Sequence, residues 1–276
     1  MFVIFVYCDQ IGNRGTVTEA AGFNAEADAQ SLREAMKGAG TDEDAITKVL
    51  AHCTIAQRQR IKEAYKQTVG KDLADDLSSE LSGNYCSVVL GLLMLAPVYD
   101  AYELRNAMRG AGTEEAGLID ILASRTNAEI KIVNEMFEAG EARWGTDEVK
   151  FLTVLCVRNR NHLLRVFEEY QKISGRDIED SIKREMSGCL EDVFLAIVKC
   201  IKNKPAFFAE RLYKSMKGLG TTDTVLIRIM VARAEIDMLD IKVQFLQMYG
   251  KTLYSFIKGD TSGDYRTILL ELCGGE

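Results

Sequence analysis

Apolar residues recur at helical spacing along most of the chain, interrupted by short polar stretches rich in glycine. Ala29, Leu32 and Met36 fall on one stripe of a segment that Asn24 is placed to cap, its side-chain oxygen accepting a first-turn N–H. Thr41 and the acids Asp42, Glu43 and Asp44 start a second helix, with negative charge at the positive end of its dipole. Thr54-Ile55-Ala56-Gln57 has the capping-box pattern and opens a third helix that Gly70 ends. Leu73, Leu77 and Leu81 share one face of a fourth. From Asn84 to Leu95 the chain is apolar almost all round, so a fifth helix lies buried. With only 2 prolines and many strong helix formers, the pattern predicts an all-α fold.

The five-helix pattern repeats in register. Thirty residues after Gly40, Gly145 and Gly220 stand Gly70, Gly175 and Gly250, and forty-three after stand Gly83, Gly188 and Gly263. Thirteen after Gly112, Gly145 and Gly220 stand Arg125, Arg158 and Arg233, whereas the first repeat has Cys53 there. Such self-similarity marks a repeat architecture. The arginines are expected to pair with acids between helices. The second unit keeps the loop Met108-Arg109-Gly110-Ala111-Gly112-Thr113 and a helix start at Thr126, but the next loop follows only 33 residues later. Its fourth and fifth helices are missing, with a seam near Phe137-Glu138. The divisions expected are a tail over 1–15 and repeats over 16–95, 96–137 (truncated), 138–201 and 202–276. Loss of two helices should uncover apolar faces around Leu118, Ile121, Leu122, Ile130 and Val133, with low stability or self-association as the result.

Candidate chemistry sits at the loops. Gly40 with Glu80, Gly145 with Glu185 and Gly220 with Asp260 are each forty residues apart, and Ser-Gly follows each acid. A glycine loop that frees carbonyls, joined by one carboxylate from far along the chain, is a donor set for a hard cation. Ca²⁺ takes about 6–8 oxygens from such mixtures. One copy would read as a turn with a helix cap, but three copies at one offset favour the metal. The net charge of −7 argues against nucleic acid and against unaided attraction to anionic membranes. A bridging cation would overcome that repulsion. Two histidines, His52 and His162, make a zinc site unexpected. Seven scattered cysteines without a CxxC read as reduced core residues of an intracellular protein. The apolar start, Met1 to Cys8, is too short to span a bilayer and lacks a signal-peptide pattern, so residues 1–15 read as a disordered or loosely docked tail.

The Met-Lys-Gly-x-Gly-Thr loops, Gly70-Lys71-Asp72, Gly175-Arg176-Asp177, the stretch Lys258 to Tyr265 and the C-terminal Leu-Leu-Glu-Leu-Cys-Gly-Gly resemble the annexins over about residues 15–276. The resemblance implies repeats of five short helices in a curved disc, the second incomplete here, and calcium-dependent binding to acidic phospholipid. It implies Ca²⁺ ligation by the carbonyls of Met36, Gly38 and Gly40 with Glu80. In the last repeat the set is Met216, Gly218, Gly220 and Asp260, and in the longer third loop it is Gly140, Arg143, Gly145 and Glu185. Met108, Gly110 and Gly112 have no acid in register, so that site is expected to be weak or lost.

Lys37, Arg109 and Lys217 read either as lipid-phosphate contacts or as solvated charges. Trp144, the sole tryptophan, lies in a polar loop and is expected at the bilayer interface. The function expected is reversible, peripheral, calcium-dependent binding to acidic membranes in vesicle traffic or membrane organisation, by a cytoplasmic protein. The alternative is a calcium-independent helical scaffold for protein partners. No G-x-S-x-G, H-E-x-x-H or P-loop suggests an enzyme or a small-molecule substrate.

Overall fold

A computed structural model describes residues 14–38, 40–108, 114–125, 160–185, 187–218 and 220–276, the side chains of His162 and Glu185 excepted. All regular structure among them is helical. The first repeat contributes α1 (Ala25–Ala35), α2 (Glu43–Leu50), α3 (Ile55–Val69), α4 (Leu73–Glu80) and α5 (Gly83–Leu92). Asn24 caps α1 through Ala27 N–H, and Thr54 and Gln57 form the reciprocal capping box of α3. The second helix starts one residue later than its acids suggested. Asp42 rather than Thr41 caps it, accepting from Ala45 N–H at 2.9 Å.

Then follow α6 (Ala96–Ala107), α7 (Glu115–Ser124), α8 (Arg160–Ser174) and α9 (Ile178–Glu185). The run Gly188–Met216, α10, is broken at Asn203, whose extended backbone ends one helix and whose side chain caps the next by accepting from Ala206 N–H. Pro205 is tolerated there because first-turn N–H groups need no helical partner. The chain closes with α11 (Asp223–Arg233), α12 (Met238–Tyr249), α13 (Leu253–Asp260) and α14 (Gly263–Cys273).

Two compact units result, one drawn from 11–95 and 208–276 and the other containing 96–207. In the first unit the opening and closing repeats, distant in sequence, share one core. Helix α5 packs on α11 and α14, and α14 also packs on α2. This is why α5 is apolar on every side: Val88, Val89 and Leu92 are all buried. Burial of each such side chain contributes roughly 1.5–3 kcal/mol relative to exposure. A polar clamp fixes the pairing. Glu235 accepts from Ile55 N–H at the start of α3 and from the buried Arg58 at 3.0 Å, while Arg58 also donates to Leu50 and Leu92 carbonyls.

Arg14 and Gly15 are docked rather than loose. Arg14 N–H donates to Ile236 C=O, Leu239 N–H to Arg14 C=O, and the Thr16 hydroxyl to Leu272 C=O. A Cβ on Gly15 would stand 2.4 Å from Glu235 backbone carbon, so no larger residue fits. Residues 1–13 lie outside the described residues.

The second unit closes part of the face expected to be bare. Ile121 and Leu104 are buried together, and Ala101, Met108, Leu118 and Leu122 pack around them, because α6 and α7 turn their apolar sides toward each other. Ile130 and Val133 are outside the described residues. Among the five described cysteines Cys53, Cys200 and Cys273 are buried, but Cys189 is exposed, donating to Glu115, which corrects the all-core reading.

The arginine register is ionic as expected where it is described; Arg158 is not. Arg125 grips Asp100 on α6 with two bonds, both groups buried, and Arg233 grips Asp237 and lies over the Phe208 ring. Asp28, Asp100 and Phe208 share one register position, twelve before the loop glycine. In the first repeat Asp28 therefore faces Cys53 instead of arginine. Burial raises the Asp28 pKa, and burial followed by the charge of Asp28 pushes the Cys53 thiol up to about 11. A raised carboxyl pKa means the folded state binds the proton more tightly, so stability falls as pH rises from 3.8 through the folded value. Cys53→Arg should reverse that sign by holding Asp28 below its ordinary value. The stability gain expected near neutrality is about 1.5 kcal/mol, typical of a charged hydrogen bond. Denaturation of both proteins across the acid range measures it, and parallel pH profiles would contradict the pairing.

Candidate metal-binding loops

Each loop begins where a helix runs out of partners. The last carbonyls of any helix lack an intrahelical donor and must find another. Here one backbone bond recurs at the same register. Asp42 N–H donates to Ala35 C=O at 2.8 Å, Glu114 N–H to Ala107 at 2.7 Å and Thr222 N–H to Ser215 at 2.8 Å. This bond ties the start of the following helix to the end of the preceding one. The backbone between must double back, and glycine provides the conformation: φ is +108° and +104° at Gly38 and Gly40, +113° and +87° at Gly218 and Gly220. Residues with a Cβ rarely reach that region.

The consequence is a row of uncommitted acceptors. Among the described residues no backbone N–H donates to the carbonyls of Met36, Gly38, Gly40, Met216, Gly218 or Gly220. These glycines are exposed. Both loops therefore offer the carbonyl part of a hard-cation donor set, and each has one acid in register.

In the last repeat the acid is brought to the loop. The Thr221 hydroxyl donates to Asp260 Oδ2 at 2.5 Å, joining the residue after Gly220 to the end of α13. In the first repeat no such bond forms; Glu80, one methylene longer, stands exposed at the end of α4. Among the described residues no three His, Cys, Asp or Glu side chains converge. A carbonyl-rich set with a single carboxylate is compatible with that and fits calcium chemistry, which accepts neutral oxygens. It offers neither the nitrogen nor the sulfur that zinc favours.

In the second loop only Met108 is described; Gly110 and Gly112 are not, nor are Gly140, Arg143, Trp144 and Gly145. Glu185 ends α9, but its side chain is outside the description.

Tyrosines behind the loops went unnoticed in the pattern of loop and acid. Tyr85 donates to Glu43 C=O at 2.8 Å and receives the Thr47 hydroxyl at 3.0 Å, pinning α5 to the helix that leaves the loop. Burial pushes its phenol up to about 12, and burial with the charges of Asp223 and Asp260 holds Tyr265 far above the ordinary value. Both stand forty-five residues past their loop glycine, so continuing the register count past the acids would have found them. The closing N–H had no sequence signal, since a backbone donor does not depend on the side chain that carries it.

The Annexin family model matches residues 27–92, 99–139, 135–197 and 207–272, the second stretch much the shortest. Annexin A4 of Sus scrofa is 56% identical over 313 aligned positions, covering 95% of this chain and 98% of that protein. An alignment longer than this chain's 276 residues means that the relative carries residues missing here. The solved structure of annexin III superposes with a TM-score of 0.91 at 39% identity, over 98% of this chain and 99% of that one. Calcium-bound annexin (Sm)1 superposes with a TM-score of 0.84 at 30% identity, over 95% and 93%.

Backbone geometry rather than side-chain bulk should govern the last loop. Gly220→Ala, at φ +87° with no atom near its Cβ, is expected to cost about 1–3 kcal/mol from strain alone. Gly259→Ala, inside α13 with equal room and no positive φ, should instead be neutral or stabilising by up to about 1 kcal/mol. Chemical denaturation should show Gly220→Ala destabilised and Gly259→Ala unchanged or stabilised.

Proposed function

The chain belongs to the annexin family, and on that premise we propose that it binds acidic phospholipid membranes reversibly through Ca²⁺ held at its loops. The observation carrying this reading is the shared construction of the first and last loops, where one closing bond and two positive-φ glycines leave carbonyls uncommitted. When bound, Ca²⁺ supplies positive charge and open coordination positions for phosphate oxygens. The carbonyls of Met36, Gly38 and Gly40 with Glu80 form one donor set, and those of Met216, Gly218 and Gly220 with Asp260 another. Gly140, Arg143, Gly145 and Glu185 form the third by family pattern. Met108, Gly110 and Gly112 form a weak one for want of an acid.

The protein's own field enforces dependence on the cation. A net charge of −7 opposes approach to an anionic surface, so attachment follows the calcium level. No described helix is long and apolar enough to cross a membrane, and binding from the cytoplasmic face would be peripheral. A role in vesicle traffic or membrane organisation follows from such reversible attachment. No catalysis and no nucleic-acid contact belong to this reading. Self-association through the shortened second repeat is separable by sedimentation velocity; the described part of that face is closed, and a monomer would remove it from the reading.

Co-sedimentation with phosphatidylserine vesicles should require Ca²⁺ and reverse with a chelator. Replacing Glu80 and Glu185 by Gln and Asp260 by Asn should raise the calcium needed by about tenfold or more, since ligand charge sets affinity. Unchanged pelleting of the triple variant would overturn the site assignment. Binding to protein partners without calcium, and none to vesicles, would favour a scaffold instead.

Trp144 gives an independent readout. As the sole tryptophan, its emission should shift to the blue only with Ca²⁺ and acidic vesicles together, and Glu185→Gln should abolish the shift. Emission indifferent to both additions would remove Trp144 from the membrane contact.

A further inference from the structure

The first and last repeats hold their loop acids by different means. In the last repeat the tie is direct: the Thr221 hydroxyl donates to the Asp260 carboxylate at 2.5 Å and lies 3.3 Å from the Asp260 carbonyl. Thr41, the equivalent residue of the first repeat, makes no such bond to Glu80, which stands exposed at the end of α4. The place of Glu80 relative to its loop is therefore set by the backbone that carries it.

One hydroxyl anchors that backbone. Leu81 is buried directly behind Glu80, and α5 starts at Gly83 and packs on α4, so the acid and the start of α5 form one corner. Tyr85 lies in the first turn of α5, five residues past Glu80, and is only 7% exposed. Its hydroxyl donates to the Glu43 carbonyl at 2.8 Å and accepts from the buried Thr47 hydroxyl at 3.0 Å. Glu43 is the first residue of α2 and follows Asp42, whose N–H closes the loop on Ala35. The far end of the loop is thus held at two successive residues. Helix α1 holds Asp42, and the corner that carries the acid holds Glu43.

We propose that Tyr85 is a positioning residue for the first calcium site, setting the separation between the Glu80 carboxylate and the carbonyls of Met36, Gly38 and Gly40 through its bond to Glu43. The inference rests on the reading that these four residues form a Ca²⁺ donor set. Donors carried by separate helices serve one ion well when their spacing is fixed beforehand; otherwise binding must also order them, and affinity falls. A ring packed in the core supplies contact without direction, whereas a hydrogen bond sets both distance and angle. The last repeat does not depend on such a relay, because Thr221 reaches the acid itself.

Calcium titration calorimetry on the full chain carrying Glu185→Gln and Asp260→Asn isolates the first site. In that background Tyr85→Phe, which keeps the ring and removes only the hydroxyl, should weaken calcium binding about fivefold, the equivalent of one hydrogen bond. Thr47→Val removes the other partner of the hydroxyl but spares its bond to Glu43, and should leave the affinity unchanged. In the calcium-free protein, amide exchange at Asp42 should quicken in Tyr85→Phe, because the loop end loses one of its two holds. With Glu80→Gln as the background instead, Tyr85→Phe should not alter binding at the last site. Unchanged first-site affinity in Tyr85→Phe, equal weakening by Thr47→Val, or an equal loss at the last site would each overturn the positioning role. No calcium binding in the isolating background, while the unaltered chain binds normally, would instead strike the assignment of Glu80 and its loop.

Discussion

Everything at the binding face depends on how a helix is allowed to end. A helix terminus leaves carbonyls without donors, and most chains satisfy them locally. Here the N–H two residues past the loop glycine reaches back seven residues to a carbonyl in the preceding helix, in three repeats. That bond fixes the loop's span while sparing the carbonyls between. Only glycine can supply the positive φ the turn needs. The uncommitted carbonyls of the first and last loops are therefore a by-product of backbone closure.

The same register accommodates different energetics at equivalent positions. Asp100 and Arg125 form a buried ion pair, Phe208 lies beneath Arg233, and Asp28 faces the Cys53 thiol. Asp76 gathers Tyr65 and Lys71, while Phe256 joins a ring cluster. At Asp100, Phe208 and Phe256 the exchange meets one requirement, that a buried polar group be paired or removed, whereas Asp28 keeps its carboxyl without a cation and its pKa rises instead. Repeats can thus keep one backbone while diverging in charge beside the loop.

Contact between the opening and closing repeats joins these sites into one body. Glu235 serves as counter-charge to Arg58 and as cap for α3, and Arg14 to Thr16 run against the same corner through backbone bonds. Gly15 admits that approach because a side chain there would overlap Glu235. The first and last loops accordingly sit in one unit whose core is shared.

The helices, their caps and the loop–acid spacing were legible in the sequence because they rest on local rules: apolar period, capping chemistry and glycine placement. Asn24, the Thr54–Gln57 box and the left-handed C-caps Gly70 and Gly250 follow from neighbours a few residues away. The ionic character of Arg125 and Arg233 was legible too, from the register they share. What stayed hidden needed atoms far apart in the chain. The exchange of Asp76 for Phe256 makes sense only beside its neighbours, Tyr65 and Lys71 in the first repeat and Tyr213 and Phe245 in the last. Glu235 meets Arg58 from 177 residues away, and the closure of α6 on α7 covers apolar residues that deletion of two helices seemed bound to expose. Periodicity specifies which side of a helix is apolar; only packing decides what that side meets, since the hydrophobic effect rewards burial without direction.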